Sequence, residues 1–264
     1  MIGEPMPLTY HDYLKLDDIL GAQDCKANDE HDEMLFIVIH QVYELWFKQI
    51  LHEASYLSKN LVLADVAKSG HALKRILKIM KTLVGQIDIL ETMTPLSFSS
   101  FRNVLETSSG FQSLQFRQFE IAMGKRPTAI LSHLHLNDEQ RSQLADQFSK
   151  PSLYDDLLRC LHVRGYDIPK HVLNRNFRSE YAGDDTVQKV LLDIYRKESS
   201  ESLLLELFVD LEEGVQEWRY RHVKMVERTI GVKMGTGGSL GVEYLKSTLF
   251  KPLFCDLWSL RSLF

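Results

Sequence analysis

The chain has 264 residues, 44% of them hydrophobic, enough to bury a substantial core, and its 31 basic against 36 acidic side chains leave a formal charge of −5. That balance argues against a nucleic-acid partner or an anionic membrane surface, and no apolar run approaches the ~20 residues of a membrane span. Cys25, Cys160 and Cys255 lie far apart with no Cys-x-x-Cys pair, which speaks against a disulfide framework, a zinc ribbon or a covalently attached haem; with no basic-then-apolar leader, a reduced cytoplasmic protein is expected.

The hydrophobic periodicity is helical almost throughout. Thr9 and Asp12 have capping-box spacing ahead of Tyr13, Leu16, Ile19 and Leu20, so a first helix is expected within residues 8–21, stopping at Gly21. A long helix follows over about residues 29–59, with Phe36, His40, Tyr43 and Phe47 on one face. A third spans about 64–93, with Leu73, Ile76, Met80, Leu83, Val84, Ile87 and Leu90 on one side. Thr94-Pro95 supplies an N-cap and a first-turn proline for another helix, which carries Phe98 and Arg102 one turn apart. Residues 109–123 read as a further helix closed by Gly124.

Short helices are expected near 138–148 and 151–163, then a loop around Gly165, Pro169 and Asn174-Arg175-Asn176. From Asp185 the pattern is helical again to Ile230, with a break near Ser199-Ser200. No apolar/polar alternation long enough for a sheet occurs, and no repeat or linker-like composition divides the chain. The expectation is a single all-α domain over residues 1–264.

His222 is the residue with most chemical content. At helical spacing it shares a stripe with Leu211, Val215, Trp218, Met225 and Thr229, so its imidazole lies on the apolar face. A buried ring there needs a partner, since an unpaired polar group costs a few kcal/mol. A carbonyl, a carboxylate or a metal would each serve. His40 poses the same question, and a core histidine bonded to a neighbouring carbonyl is the simpler answer for one such residue taken alone.

Other clusters carry less. His31-Asp32-Glu33 are consecutive, point about 100° apart on a helix and cannot converge on one ion; they suit a helix N-terminus instead. His133 and His135 have no metal-ligand spacing. Glu44, one turn from His40, is the single carboxylate placed to assist a non-haem metal. Arg102 beside Phe98 suits a carboxylate clamp or a surface arginine with a buried stem. Gly235-Thr236-Gly237-Gly238 follows a helix and lacks phosphate-loop spacing; a lid over a ligand and a plain helix-ending loop are both open.

Longer blocks are more specific. Phe36 through Lys48 (FIVIHQVYELWFK), Leu90-Glu91-Thr92-Met93-Thr94-Pro95, Ser108 through Arg117 (SSGFQSLQFR), and Trp218-Arg219-Tyr220-Arg221-His222 with its glycine loop resemble tryptophan 2,3-dioxygenases. The likeness runs in order from Leu8-Thr9-Tyr10 to the C-terminus. It implies an all-α, multi-helix haem-binding bundle assembled as a homotetramer, a dimer of dimers. It also implies insertion of O2 across the indole C2–C3 bond of L-tryptophan to give N-formylkynurenine, the first step of the kynurenine pathway.

On that resemblance His222 is the axial ligand of a non-covalent haem b, ferrous when active, with Ser109 and Arg117 at its propionates. His40 takes the indole N–H, and Phe36, Ile37, Val38, Ile39 and Phe98 form the substrate slot. Arg102 takes the carboxylate, Thr236 helps hold the zwitterion, and Tyr10 and Tyr13 reach a neighbouring subunit's pocket. Departures from the family pattern are Phe98, where some members carry Tyr, Leu240, where Ser is expected, and Met234 ahead of the loop. The same fold acting on another indole or aromatic amino acid, and a non-enzymatic helical interaction module, are the competing readings.

Overall fold

The computed structural model describes residues 7–27, 29–126, 136–236 and 241–264. His133, His135, Leu240 and the Gly237-Gly238 pair lie outside them. Thr9 caps the first helix: its hydroxyl accepts the Asp12 amide at 3.1 Å and donates to the Asp12 carboxylate. The single helix expected over 8–21 is instead two short ones, α1 (Tyr10–Leu14) and α2 (Leu16–Leu20). Lys15 adopts a left-handed φ of 53° between them, and one residue in that conformation ends the hydrogen-bond ladder of α1. Neither helix buries a residue.

Three long helices form the frame: α3 (His31–Val62), α4 (Val66–Leu90) and, late in the chain, α11 (Ser200–Ile230). α4 packs along both others. Its buried residues, including Leu73, Ile76, Met80, Leu83, Val84 and Ile87, are the stripe its periodicity predicts, and Asp65 caps it by accepting the Lys68 amide at 3.0 Å. The main core joins these to Phe47, Ile50, Leu57 and Leu61 of α3 and to Leu204, Leu205, Phe208, Leu211 and Val215 of α11. Each such side chain removes enough apolar surface from water to contribute about 1.5–3 kcal/mol. At the start of α3, buried Glu33 accepts the amides of Lys26 and Ala27, at 2.8 and 2.7 Å, fixing the entry of the chain.

Thr94 and Pro95 start α5 (Pro95–Phe101), and Thr94 accepts the Ser97 amide as its cap. A 3-10 turn (Arg102–Leu105) follows directly. The helix expected over 109–123 is shorter. Ser109 caps a 3-10 turn at Gly110–Gln112, and Ser113 caps α6 (Leu114–Ala122), because each hydroxyl takes the amide that would otherwise continue one helix. α7 (Asp138–Phe148), α8 (Leu153–Val163), α9 (Lys170–Leu173) and α10 (Asp185–Arg196) complete the middle. The break before α11 falls at Ser199, as the sequence suggests. Two short helices, α12 (Val242–Ser247) and α13 (Cys255–Ser259), close the chain. Among the described residues there is no strand, and no helix is long and apolar enough to cross a membrane.

Candidate active site

A cavity of about 250 Å³ lies where α3, α5, α6 and α11 meet the segments after α5 and α11. Most of its walls are apolar, and a few polar groups converge on it. His40 and His222 both line it, as do Phe36, Ile39, Phe98, Arg102, Ser109, Arg117 and Thr236. Ile37 and Val38 are not among the lining residues, because α3 turns them about 100° and 200° away from Phe36. Tyr10 and Tyr13, 76% and 71% exposed, stand outside this protomer's cavity altogether.

His40 is bonded to a neighbouring carbonyl and also lines the cavity. Its Nδ1 is 2.7 Å from the Phe36 carbonyl oxygen, so Nδ1 carries the proton and donates, leaving Nε2 as an acceptor at the cavity. Burial holds its pKa below the ordinary histidine value, against the raising effects of the Phe36 carbonyl and Glu44. Phe36 lies against the ring at 4.1 Å between centroids, and Phe98 and Phe101 continue the aromatic wall at 5.8 and 5.6 Å from Phe36.

His222 differs in having no hydrogen-bond partner for its ring among the described residues. Burial first, and His40 second, pull its pKa down to about 4, so it is a neutral imidazole with an available lone pair at any ordinary pH. The ring stacks on Trp218 at 5.2 Å and 4° from parallel, which fixes its plane. A neutral imidazole with an unused ring nitrogen at a cavity is able to ligate a metal. Among the described residues no three His, Cys, Asp or Glu side chains are grouped to hold a bare ion, so Glu44 does not complete a non-haem site. Its carboxylate instead accepts from Gln115 Nε2 at 2.8 Å.

One end of the cavity is strongly polar. Arg117, Glu120 and Arg219 line it, and all three are buried. Arg117 Nη1 and Arg219 Nη2 each donate to a different oxygen of Glu120, the latter at 2.8 Å. Arg117 is also flanked by Phe111 and Phe116, each 5.1 Å from its guanidinium carbon, and its buried Nε has no partner among the described residues. Two cations share one anion. The Ser109 hydroxyl, which accepts the Phe111 amide at 3.3 Å, keeps its own proton free to donate nearby.

At the other polar point, Arg102 Nη2 donates to the Met234 carbonyl at 2.6 Å, and the Thr236 hydroxyl donates to the Ser108 carbonyl at 2.6 Å. These bonds tie the segment after α11 to the segment after α5. Glycines with positive φ bracket that loop, Gly231 at 61° and Gly241 at 60°.

Sequence reasoning did not assign Glu120, Arg219 or Tyr244 to the cavity that they line. Tyr43 and Trp218 were signalled by sharing faces with His40 and His222. Glu120 and Arg219 gave no local signal.

The sequence model of tryptophan 2,3-dioxygenase matches residues 3–149 and 194–264. Every residue lining the cavity falls within those segments. Relatives called tryptophan 2,3-dioxygenase are 51% identical over 257 residues in Herpetosiphon aurantiacus, spanning 97% of this chain and 98% of that one. In Anaeromyxobacter sp. strain K identity is 51% over 257 residues, covering 96% and 95% of the two chains. In Bacillus thuringiensis subsp. konkukian it is 41% over 258 residues, covering 97% and 92%.

Proposed function

The chain belongs to the tryptophan 2,3-dioxygenase family, and on that premise we propose that its cavity holds a haem b through His222 and binds L-tryptophan beside it through His40 and Arg102. The reaction is addition of both atoms of O2 across the indole C2–C3 bond, giving N-formylkynurenine as the first step of tryptophan catabolism; nothing else is consumed. The alternatives of another indole substrate or a non-enzymatic helical module are not favoured.

The observation carrying the cofactor assignment is His222, a neutral imidazole at a cavity with no hydrogen-bond partner among the described residues. The orphaned, buried Arg117 Nε and the excess positive charge around it suit an anionic group such as a haem propionate, with the Ser109 hydroxyl as a second donor. When bound, ferrous haem supplies the activation of O2 that no side chain can provide.

The remaining work falls to the chain. Phe36, Phe98 and Ile39 enclose an aromatic ring and exclude water. His40 Nε2 accepts the indole N–H, because Nδ1 is committed to the Phe36 carbonyl. It orients the ring and does not remove the proton, since an indole N–H is a far weaker acid than imidazolium and full transfer is uphill. Arg102 takes the substrate carboxylate, and Thr236 steadies the charged end. Such paired groups separate tryptophan from carboxylate-free indoles far better than an apolar slot does. Tyr10 and Tyr13, exposed on an arm that buries nothing, complete a neighbouring subunit's cavity in a homotetramer, a dimer of dimers.

The test is to reduce the haem-loaded protein, supply L-tryptophan and O2, and look for N-formylkynurenine. His222→Ala is expected to lose the haem spectrum; a normal spectrum in that variant, or no product from the wild type, overturns the assignment.

A further inference from the structure

Three buried charges line the cavity, and their arithmetic is uneven. Arg117 and Glu120 alone would form a neutral pair with no net charge to offer an anion. Arg219, reaching in from α11, binds the other Glu120 oxygen at 2.8 Å and brings the cluster to a net charge of +1. Its second nitrogen, Nη1, is anchored on the Thr248 carbonyl at 3.2 Å, so the guanidinium is held from two sides. Arg117 meanwhile keeps a buried Nε without a partner among the described residues. A buried, uncompensated positive charge is costly, and a ligand anion relieves it.

We infer that Arg219 is a positioning residue for the cofactor: it takes up the charge of Glu120 so that the charge of Arg117 is left for a haem propionate. The inference rests on the haem assignment above. Arg219 lies one helical turn before His222 on α11, while Arg117 and Glu120 lie on α6. The Glu120 bridge therefore joins the helix bearing the axial ligand to the helix bearing the propionate donor. Anion binding at Arg117 and the placement of His222 become one rigid arrangement, and the net charge of the cluster acts on the iron through the buried end of the cavity.

The role predicts a dependence on charge count that packing alone does not. Arg219→Met keeps much of the side-chain volume and leaves the neutral Arg117–Glu120 pair. Haem release from the ferric holoprotein to excess apomyoglobin should accelerate on the order of tenfold, the loss of one charge-assisted bond's worth of attraction. The ferric/ferrous midpoint potential should fall, because less positive charge remains to stabilise the electron-rich ferrous state. Arg219→Lys should recover most of both. The decisive variant is Arg219→Met combined with Glu120→Gln, which returns the cluster to +1 with Arg117 alone. Its potential should return toward that of the wild type, and its haem release should slow relative to Arg219→Met.

Circular dichroism of each holoprotein checks folding; if Arg219→Met does not accumulate, Arg219→Gln, which also removes the charge, takes its place in the comparison with the double variant. Unchanged haem release and potential in Arg219→Met overturn the inference. So does a double variant no better than the single one, which would mean that Arg219 acts by packing. A wild-type protein that takes up no haem removes the cofactor assignment itself, and is recognised by the absence of a Soret band before any variant is compared.

Discussion

Replacing Arg102 with glutamine separates its contact with the loop from the carboxylate-binding role proposed for the same guanidinium. Nη2 donates to the Met234 carbonyl at 2.6 Å, holding the loop after α11, while the rest of the group lines the cavity beside Phe98 and Thr236. Glutamine keeps an N–H for Met234 but loses the charge. A hydrogen bond to a charged group is worth about 1.5–3 kcal/mol, and the partial exposure of Arg102 places it below the top of that range. Loss of about 2 kcal/mol corresponds to a roughly 30-fold weaker affinity for L-tryptophan. Tryptamine, with the same ring and ammonium but no carboxylate, should lose less than about threefold, the share owed to the loop. Spectral titration of the haem-loaded wild type and variant with both ligands measures the two effects side by side. Equal losses for both ligands would mean that Arg102 acts only through Met234, and no loss for either would remove it from the site.

The other expectations concern His40, the loop and the fold. His40→Leu should lower kcat/KM for tryptophan by about tenfold or more but leave N1-methyltryptophan, which has no N–H to offer, nearly unaffected; steady-state kinetics with the two substrates decide it. Gly241→Ala places a Cβ 2.8 Å from the Lys233 carbonyl at a φ of 60°, so it should raise KM for tryptophan by displacing the loop. An unchanged KM would show that the loop tolerates it. Asp156 is buried on α8, and burial pushes its pKa up to about 6 despite the 2.6 Å bond from Ser58 and the nearby Arg159. Because the folded value exceeds the ordinary carboxylate value of about 4, the wild type loses stability as pH rises from about 4 to about 6. The full cost above that window is of order 3 kcal/mol. Asp156→Asn should therefore be more stable than wild type at pH 7.5 and not at pH 4, read by urea denaturation; a pH-independent difference would refute the assignment.

Much of this protein is written locally. The stripes of α4 and α11, the Thr94-Pro95 start of α5 and the break at Ser199 follow from side-chain period and capping chemistry, which act within one or two turns. The same period put His40 and His222 on apolar faces, and both rings line the cavity. Local rules did not reveal the left-handed Lys15 or the competition between Ser109 and Ser113 for helix starts, because several residues there had equally good claims.

Only the tertiary structure decided which imidazole is free. The Phe36 carbonyl satisfies one face of His40, whereas the packing around His222 offers its ring no hydrogen-bond partner among the described residues. The polar end of the cavity was equally invisible, since Glu120 and Arg219 are 99 residues apart, and Arg102 and Met234 are 132 apart. Periodicity states which face of a helix is buried. It cannot state what the face is buried against, and the net charge left at a binding site is a sum over neighbours that only folding brings together.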